Sequence, residues 1–553
     1  MNPYVVPGMI LVVVVTVGIG AYGLRFARTT SDFLVASRSV SASWNAAAIS
    51  GEYLSAASFL GVAGLILRYG VDMLWYPVGF AAGYLALLLF VAAPLRRSGA
   101  FTLPDFCQVR LRSPVLRRLA TVFVIFIGCL YLVPQLQGAG MTFITVTGGS
   151  YEWGALLIGL VVTANVALGG MRAITFVQAF QYWLKLTALA VPVMFLVLQW
   201  QADHRPEVTP PAGLTFPAAT TVTFSDPATL TLPDGTTERV AAGAERTFAA
   251  GAPVPSVSTV DDRRGLDWLL PGGDGNLFAT YSLILATFLG TMGLPHVLVR
   301  FYTNPDGASA RRTTLVVLGL VGLFYLLPTL YGVLGRIYTP HLLMTGRTDA
   351  VVLLLPEAAL GGGHLGRLLG ALVTAGALAA FLSTSSGLLT SVAGVVFTDV
   401  LRAGRGGSVR DFRVATVLAA AIPLILALYV KNMDVSRVVG LAFAVAASSF
   451  CPLLVLGIWW RGLTDAGAVA GVLAGGGAAM VSVLITVLGP PLTGWPAQII
   501  GQPAAWTVPL AFAVMIAGSL VTRLRVPPDV NAIMLRLHAP ESLRRGSAIT
   551  FDR

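Results

Sequence analysis

The chain has 553 residues, 56% of them apolar and 11% charged, with a mean hydropathy of +0.79. A soluble domain carries about 25% charge, so this composition excludes a soluble globular protein, a disordered chain and a nucleic-acid binder. The net charge of +11 comes from 36 Lys and Arg against 25 Asp and Glu, and the cations sit in short segments between apolar runs rather than on one soluble face. A polytopic, all-α membrane protein follows, because each stretch of about 20 apolar residues can cross a bilayer.

In chain order the apolar runs fall at 5–24, 44–67, 73–95, 119–147, 153–170, 174–199, 277–299, 314–338, 366–398, 412–430, 438–460, 466–488 and 505–523. That predicts about thirteen spans. The first run has no basic residue before it (Met1-Asn2-Pro3-Tyr4) and is followed by Arg25 and Arg28, so it reads as a retained span rather than a signal peptide. With the N-terminus outside and the C-terminus inside, the inner segments hold 24 Lys and Arg and the short outer loops hold 6. That asymmetry sets the orientation by the positive-inside rule.

The long loop at 201–276 is then extracytoplasmic. It is acidic, Thr221-Val222-Thr223-Phe224 and Thr229-Leu230-Thr231-Leu232 alternate, and Asp234-Gly235 is a hairpin-type turn. A small β insertion is expected, with no metal-ligand or nucleophile pattern of its own. Cys107, Cys129 and Cys451 all lie outside this loop, so no disulfide framework is expected.

Backbone groups within a bilayer must be paired unless they line a protein-buried or watery site. Two apolar spans carry signs of a break. The second reads Ser50-Gly51-Glu52-Tyr53-Leu54-Ser55-Ala56-Ala57-Ser58, and the seventh reads Thr287-Phe288-Leu289-Gly290-Thr291-Met292-Gly293-Leu294-Pro295-His296. They open two blocks of five spans, 2–6 and 7–11, and an odd repeat must enter the membrane in opposite senses. Paired breaks in an inverted repeat point to a transporter's midplane site. The competing reading is that the small residues only permit tight helix packing.

Span 9 holds Ser383-Thr384-Ser385-Ser386. Four hydroxyls can simply bond back to the preceding turn. Together with carbonyls freed at a break, they would also suit an alkali cation that must bind and leave. Only Glu52 and Lys185 stand clearly inside spans, and a charge there needs a partner or a polar cavity. Lys185 shares its span with Gln178 and Gln181. It pairs with a carbonyl or with Glu52, or it contacts substrate.

These stretches resemble the sodium:solute symporter family, and within it the cation/acetate (monocarboxylate) branch. The residues that carry the likeness are Gly51 to Gly61, Gly169-Gly170-Met171-Arg172-Ala173 with Val177-Gln178, and Gly290 to His296 followed by Arg300-Phe301. The resemblance spans about residues 30–460. It implies a LeuT-type five-plus-five inverted repeat. The expected layout is an extra N-terminal span (1–30), a first repeat (44–200), the insertion (201–276), a second repeat (277–460), two further spans (466–523) and a cytoplasmic tail (524–553).

The resemblance further implies a sodium site formed by the carbonyls of Gly51, Leu54 and Ala380 and the hydroxyls of Ser383 and Thr384. Substrate would lie beside the breaks, near Ser55, Ser58, Tyr131, Thr287 and Thr291. Glu52, Gln178 and Lys185 would flank the ion path, and Gln178 replaces an Asp found there in other branches. The implied activity is Na⁺-coupled uptake of acetate, propionate or pyruvate across a bacterial plasma membrane, with no cofactor and no enzymatic step. One Na⁺ with one monoanion is electroneutral, so membrane potential, worth about 2.3 kcal/mol per charge per 100 mV, would do no work unless a second cation, such as a proton on Glu52, travelled too.

Other readings make different demands. A symporter for a sugar would need more amide and acidic side chains facing its cavity. A metalloenzyme would need ligand spacing that His204, His296, His341, His364 and His538 lack. A sensor would need a signalling domain, and only about 30 residues follow 523. A channel would need a filter loop or a charged ring.

Overall fold

The computed structural model describes residues 2–23, 40–204, 215–216, 219–224, 227–232, 234–259, 277–401, 409–429, 435–489, 492 and 494–541. The cations counted above at Arg25, Arg28, Arg38, Arg402, Arg405 and Lys431, and the tail after 541, lie outside these residues. Among the described residues, eleven helices are long and apolar enough to cross a membrane. There are twelve if Leu277–Gly293 and Pro295–Phe301, bent by 41° at their junction, form one span.

The sequence reading of thirteen differs at one place. Ala42–Tyr53 is only 12 residues long and is too short to span alone. Ala57–Arg97 forms one 41-residue stretch. At 1.5 Å per residue that stretch would measure about 61 Å if straight, twice the ~30 Å hydrocarbon core. It is not straight, because Gly70 takes φ 78° between Val62–Tyr69 and Trp75–Ala86. A side chain rarely adopts that backbone, so the glycine marks the turn.

Another long run also folds at a glycine. Tyr151–Ala202 contains Gly170 at φ 63°, ψ 177°, which divides it into two membrane-length helices, Tyr151–Met171 and Ala173–Ala202. The outer surface is apolar along these helices, with Leu11, Val14, Leu160, Met194, Leu326 and Ile425 exposed. Apolar side chains in such positions face lipid in a membrane protein rather than forming a defect.

Side-chain bonds gather the loops into two ends. At one end Arg97 donates to the His538 carbonyl at 3.0 Å, Arg110 to Gly457 O at 2.7 Å, Arg117 to Asp399 at 2.7 Å and Gly307 N to Glu541 at 2.8 Å. Arg112 also pairs with Asp529. At the other end Tyr4 OH meets His364 Nδ1 at 3.0 Å, Asn2 donates to Arg367 O at 2.6 Å and Tyr338 donates to Asp203 at 2.6 Å.

The insertion contains short strands. β1 (Thr220–Thr223) pairs antiparallel with β4 (Glu245–Phe248). β2 (Ala228–Thr231) pairs with β3 (Thr237–Val240) and β5 (Ser256–Thr259). Gly235 sits at φ 82° in the β2–β3 turn, and Asp234 accepts from Thr236 N at 2.9 Å. The inward alternating residues Val222, Leu230, Val240 and Val257 pack with Phe224 and Met344. Cys107, Cys129 and Cys451 are buried and unbridged.

Candidate functional site

The first break lies where the sequence places it. Ala42–Tyr53 ends at Leu54 (φ −75°, ψ 84°), and the chain resumes as a π-helical turn, Ala57–Gly61. Wide turns of this kind recur at functional sites. The interruption releases backbone groups inside the protein, and three other helices supply their partners. Lys185 Nζ donates to Gly51 O and to Leu54 O, the latter at 2.7 Å. Thr384 Oγ1 donates to Glu52 O at 2.6 Å, and Ala56 N donates to Gln135 Oε1 at 2.9 Å.

The second break falls at Leu294, which is extended (φ −71°, ψ 115°) before Pro295 opens the half-helix Pro295–Phe301. Proline disfavours a helical residue before it and suits the first helical position. The tight-packing reading also has substance here. A Cβ on Gly290 would fall 2.5 Å from Phe443 O, and one on Gly293 would fall 2.4 Å from Ala446 O. Glycine at these positions therefore serves close backbone approach as well.

The sodium-ligand candidates converge. Lys185 Nζ, itself fully buried, joins Gly51 O, Leu54 O and Ser383 Oγ (2.9 Å). Ser383 Oγ donates onward to Ala380 O at 3.1 Å. Three of the five expected ligands thus meet around one ammonium, and a fourth, Ala380 O, joins through Ser383. The fifth, Thr384, turns its hydroxyl to Glu52 O. Of the alternatives for Lys185, the structure shows the carbonyl partnership.

Glu52 pairs instead with Arg300, Nε to Oε2 at 2.6 Å, and both side chains are 1% exposed. Arg300 also donates to Thr175 Oγ1 at 3.0 Å, to Met171 Sδ at 2.9 Å and to Gln178 Oε1, while Gln178 Nε2 donates to Ser383 O at 2.7 Å. Asn45 Nδ2 donates to Arg300 O at 3.2 Å. The sequence reading assigned Arg300 to an inner loop. It is instead buried beside Glu52, tying the half-helix of one break to the half-helix of the other. Its only signal was its place just after the Gly290–His296 motif.

The substrate candidates Ser55, Ser58, Tyr131, Thr287 and Thr291 are all buried. Thr291 Oγ1 lies 2.8 Å from Tyr53 OH, and Ser58 Oγ lies 2.8 Å from Tyr325 OH. Thr287 bonds back to Leu283 O at 2.8 Å and packs against Gly79. Tyr53, Phe80, Tyr131, Tyr325 and Phe443 form one aromatic cluster, with Phe80 and Phe443 centroids 4.9 Å apart, Phe80 and Tyr325 5.8 Å apart and Tyr131 and Phe443 5.8 Å apart. His296 stacks edge-on to Tyr131 at 5.2 Å. Tyr53, Phe80, Tyr325 and Phe443 were not singled out from sequence, since aromatic residues in apolar spans look like ordinary core.

Residues 33–204 and 259–475 match the model of the sodium:solute symporter family, leaving the β insertion between the two matched segments. The chain belongs to the sodium:solute symporter family. It is 31% identical over 539 residues to a monocarboxylic acid transporter of Corynebacterium glutamicum, covering 92% of this chain and 90% of that protein. It is 29% identical over 531 residues to the uncharacterized symporter YwcA of Bacillus subtilis, covering 92% and 93%. A Na⁺-coupled sialic acid symporter, solved in a substrate-bound outward-open state, has the same fold at 13% identity. The TM-score is 0.64, covering 93% of this chain and 98% of that one. This member of the family is a multi-pass plasma-membrane transporter of LeuT-type fold, and Na⁺ is the family's coupling ion.

Proposed function

We propose that this symporter carries a short-chain monocarboxylate (acetate, propionate or pyruvate) into the cell with Na⁺ by alternating access. The observation that carries the substrate class is the 31% identity, along nearly the whole chain, to the Corynebacterium monocarboxylic acid transporter. The site's chemistry supports it. Around the first break stand hydroxyls (Ser55, Ser58, Thr291) and phenols (Tyr53, Tyr131, Tyr325), all buried. Neutral donors can hold a small carboxylate without binding it too tightly to release.

In this reading Na⁺ binds between the first break and the His364–Val395 helix, on Gly51, Leu54, Ala380, Ser383 and Thr384. The Glu52–Arg300 pair and Gln178 link that site to the second break. The chain comprises an N-terminal span, two five-span repeats, the outer insertion and two final spans, thirteen crossings in all. Support for the odd count comes from the ends of the chain. Asn2 bonds at the end of the bundle that holds Arg367, and His538 and Glu541 bond at the end that holds Arg97 and Gly307. The positive-inside rule makes the second end cytoplasmic.

The test is uptake of labelled acetate into proteoliposomes under an inward Na⁺ gradient against choline at constant pH. Unlabelled propionate and pyruvate should compete, and glucose and proline should not. Saturable uptake with that competition pattern is expected. Absence of acetate, propionate and pyruvate uptake under both a Na⁺ and a pH gradient would overturn the substrate class.

A further inference from the structure

We infer that Lys185 is a tethered cation that shares one set of oxygens with Na⁺, so that the site holds either the lysine ammonium or a sodium ion, but never both. The inference rests on the sodium-site assignment above and goes beyond it. It starts from the geometry of Nζ. Its acceptors are Gly51 O, Leu54 O at 2.7 Å and Ser383 Oγ at 2.9 Å. Ser383 Oγ gives its own proton to Ala380 O and so receives the lysine's. Three acceptors use all three protons of an ammonium, which has no acceptor capacity of its own.

The surroundings fit a cation held by dipoles. Gly51 and Leu54 sit at the C-terminal end of Ala42–Tyr53, where helix carbonyls lack the usual amide partners and the helix dipole favours positive charge. The carboxylate beside it, Glu52, has its Oε2 engaged by Arg300 at 2.6 Å. Gln178 is bonded to Ser383 O and Arg300, and Gln181 donates to Thr16 Oγ1 at 3.2 Å. Lys185 therefore stands where an alkali ion would, on four of the five oxygens expected to hold one, counting Ala380 O through Ser383.

Two positive charges cannot occupy an oxygen cage a few ångströms across. Sodium entry must displace the ammonium, and sodium departure lets the ammonium return. The lysine thus keeps the broken helix bonded to the His364–Val395 helix when no sodium is present, and it sets the concentration at which sodium takes over.

The experiment uses the purified full-length protein in detergent with no organic anion present, so its outcome is independent of which solute is carried. Thermal midpoints are recorded while NaCl replaces choline chloride at fixed ionic strength. In choline, Lys185→Met should be less stable than wild type. Added Na⁺ should restore it, with a half-maximal concentration at least 10-fold below that of wild type. Lys185→Met with Ser383→Ala should lose that restoration. Lys185→Arg keeps a tethered charge and should need at least as high a Na⁺ concentration as wild type. Lys185→Gln serves as a second neutral variant should Lys185→Met fail to fold. Equal Na⁺ sensitivity of wild type and the neutral variants, or folded neutral variants that ignore Na⁺, would overturn the proposal, as would a gain of Na⁺ sensitivity in Lys185→Arg.

Discussion

The buried Glu52–Arg300 pair gives the sharpest quantitative expectation. At 2.6 Å, its attraction is about 6 kcal/mol for an effective dielectric constant near 20. Removing each ion from water costs several kcal/mol, so the intact pair stands near break-even against an apolar pair of similar size. Deleting one partner is different. Arg300→Met strands a carboxylate that is 1% exposed, and Glu52→Gln strands a guanidinium equally buried. Each single change should cost about 3–5 kcal/mol. Glu52→Gln is expected at the lower end, because Arg300 keeps Thr175 and Gln178 as acceptors. The double variant should be more stable than the sum of the singles by about 2–3 kcal/mol, as residues in one network are coupled. The assay is thermal or urea unfolding of the detergent-solubilised protein, followed by tryptophan fluorescence for the four members of the cycle. Additive losses would refute the claim that the two charges neutralise one another.

Four further outcomes follow from particular contacts. Gly387→Ala should mimic the loss of Glu52, because a Cβ there would fall 2.0 Å from the Glu52 carboxyl carbon; a thermal midpoint equal to wild type would count against it. Thr291→Val should cost more than Tyr53→Phe in the same assay. The first leaves a buried phenol without its 2.8 Å partner, at about 1–3 kcal/mol, whereas after the second Thr291 still donates to Thr287 O at 2.7 Å. Asp306 caps Gly307–Tyr338 through Ser309 N at 2.7 Å, so Asp306→Ala should lose about 1 kcal/mol. That backbone bond holds the Asp306 carboxyl below the ordinary Asp range. A depressed folded-state value gives stability that is present above the unfolded pKa and is lost as pH falls through the folded one. The wild-type advantage over Asp306→Ala should therefore be full at pH 7 and shrink in acid, and a gap unchanged on acidification would refute the assignment. In uptake, Ser383→Ala with Thr384→Ala should abolish Na⁺ stimulation of labelled acetate entry, and unaltered stimulation would move the sodium site elsewhere.

The membrane class, the two breaks and the β insertion were legible from sequence because each has a local cause. An apolar run long enough to span the bilayer is readable residue by residue. Pro295 disfavours a helical Leu294 before it, Gly51 and the hydroxyls around Leu54 mark the other break in an otherwise apolar run, and Asp234-Gly235 makes a hairpin turn without help from distant residues. The convergence of Gly51, Leu54, Ala380 and Ser383 came from motif resemblance, and the structure brings those oxygens together through Lys185. The number of crossings was less direct, since Gly70 must reverse the chain within a stretch that is apolar on both sides.

Tertiary structure alone decided who partners whom. Nothing local distinguishes Arg300 from Arg311 and Arg312 as a loop cation. It is buried because Pro295–Phe301 folds against Ala42–Tyr53, 248 residues away in sequence from Glu52. Lys185 could have met Glu52 or the substrate, and the geometry sends it to the carbonyls of the broken helix while Arg300 takes the carboxylate. The sequence by itself determined that charges and freed backbone groups would lie inside the bilayer, because composition and helix breakers act locally. Which charge satisfies which group depends on distances between helices far apart in the chain, and only packing fixes those.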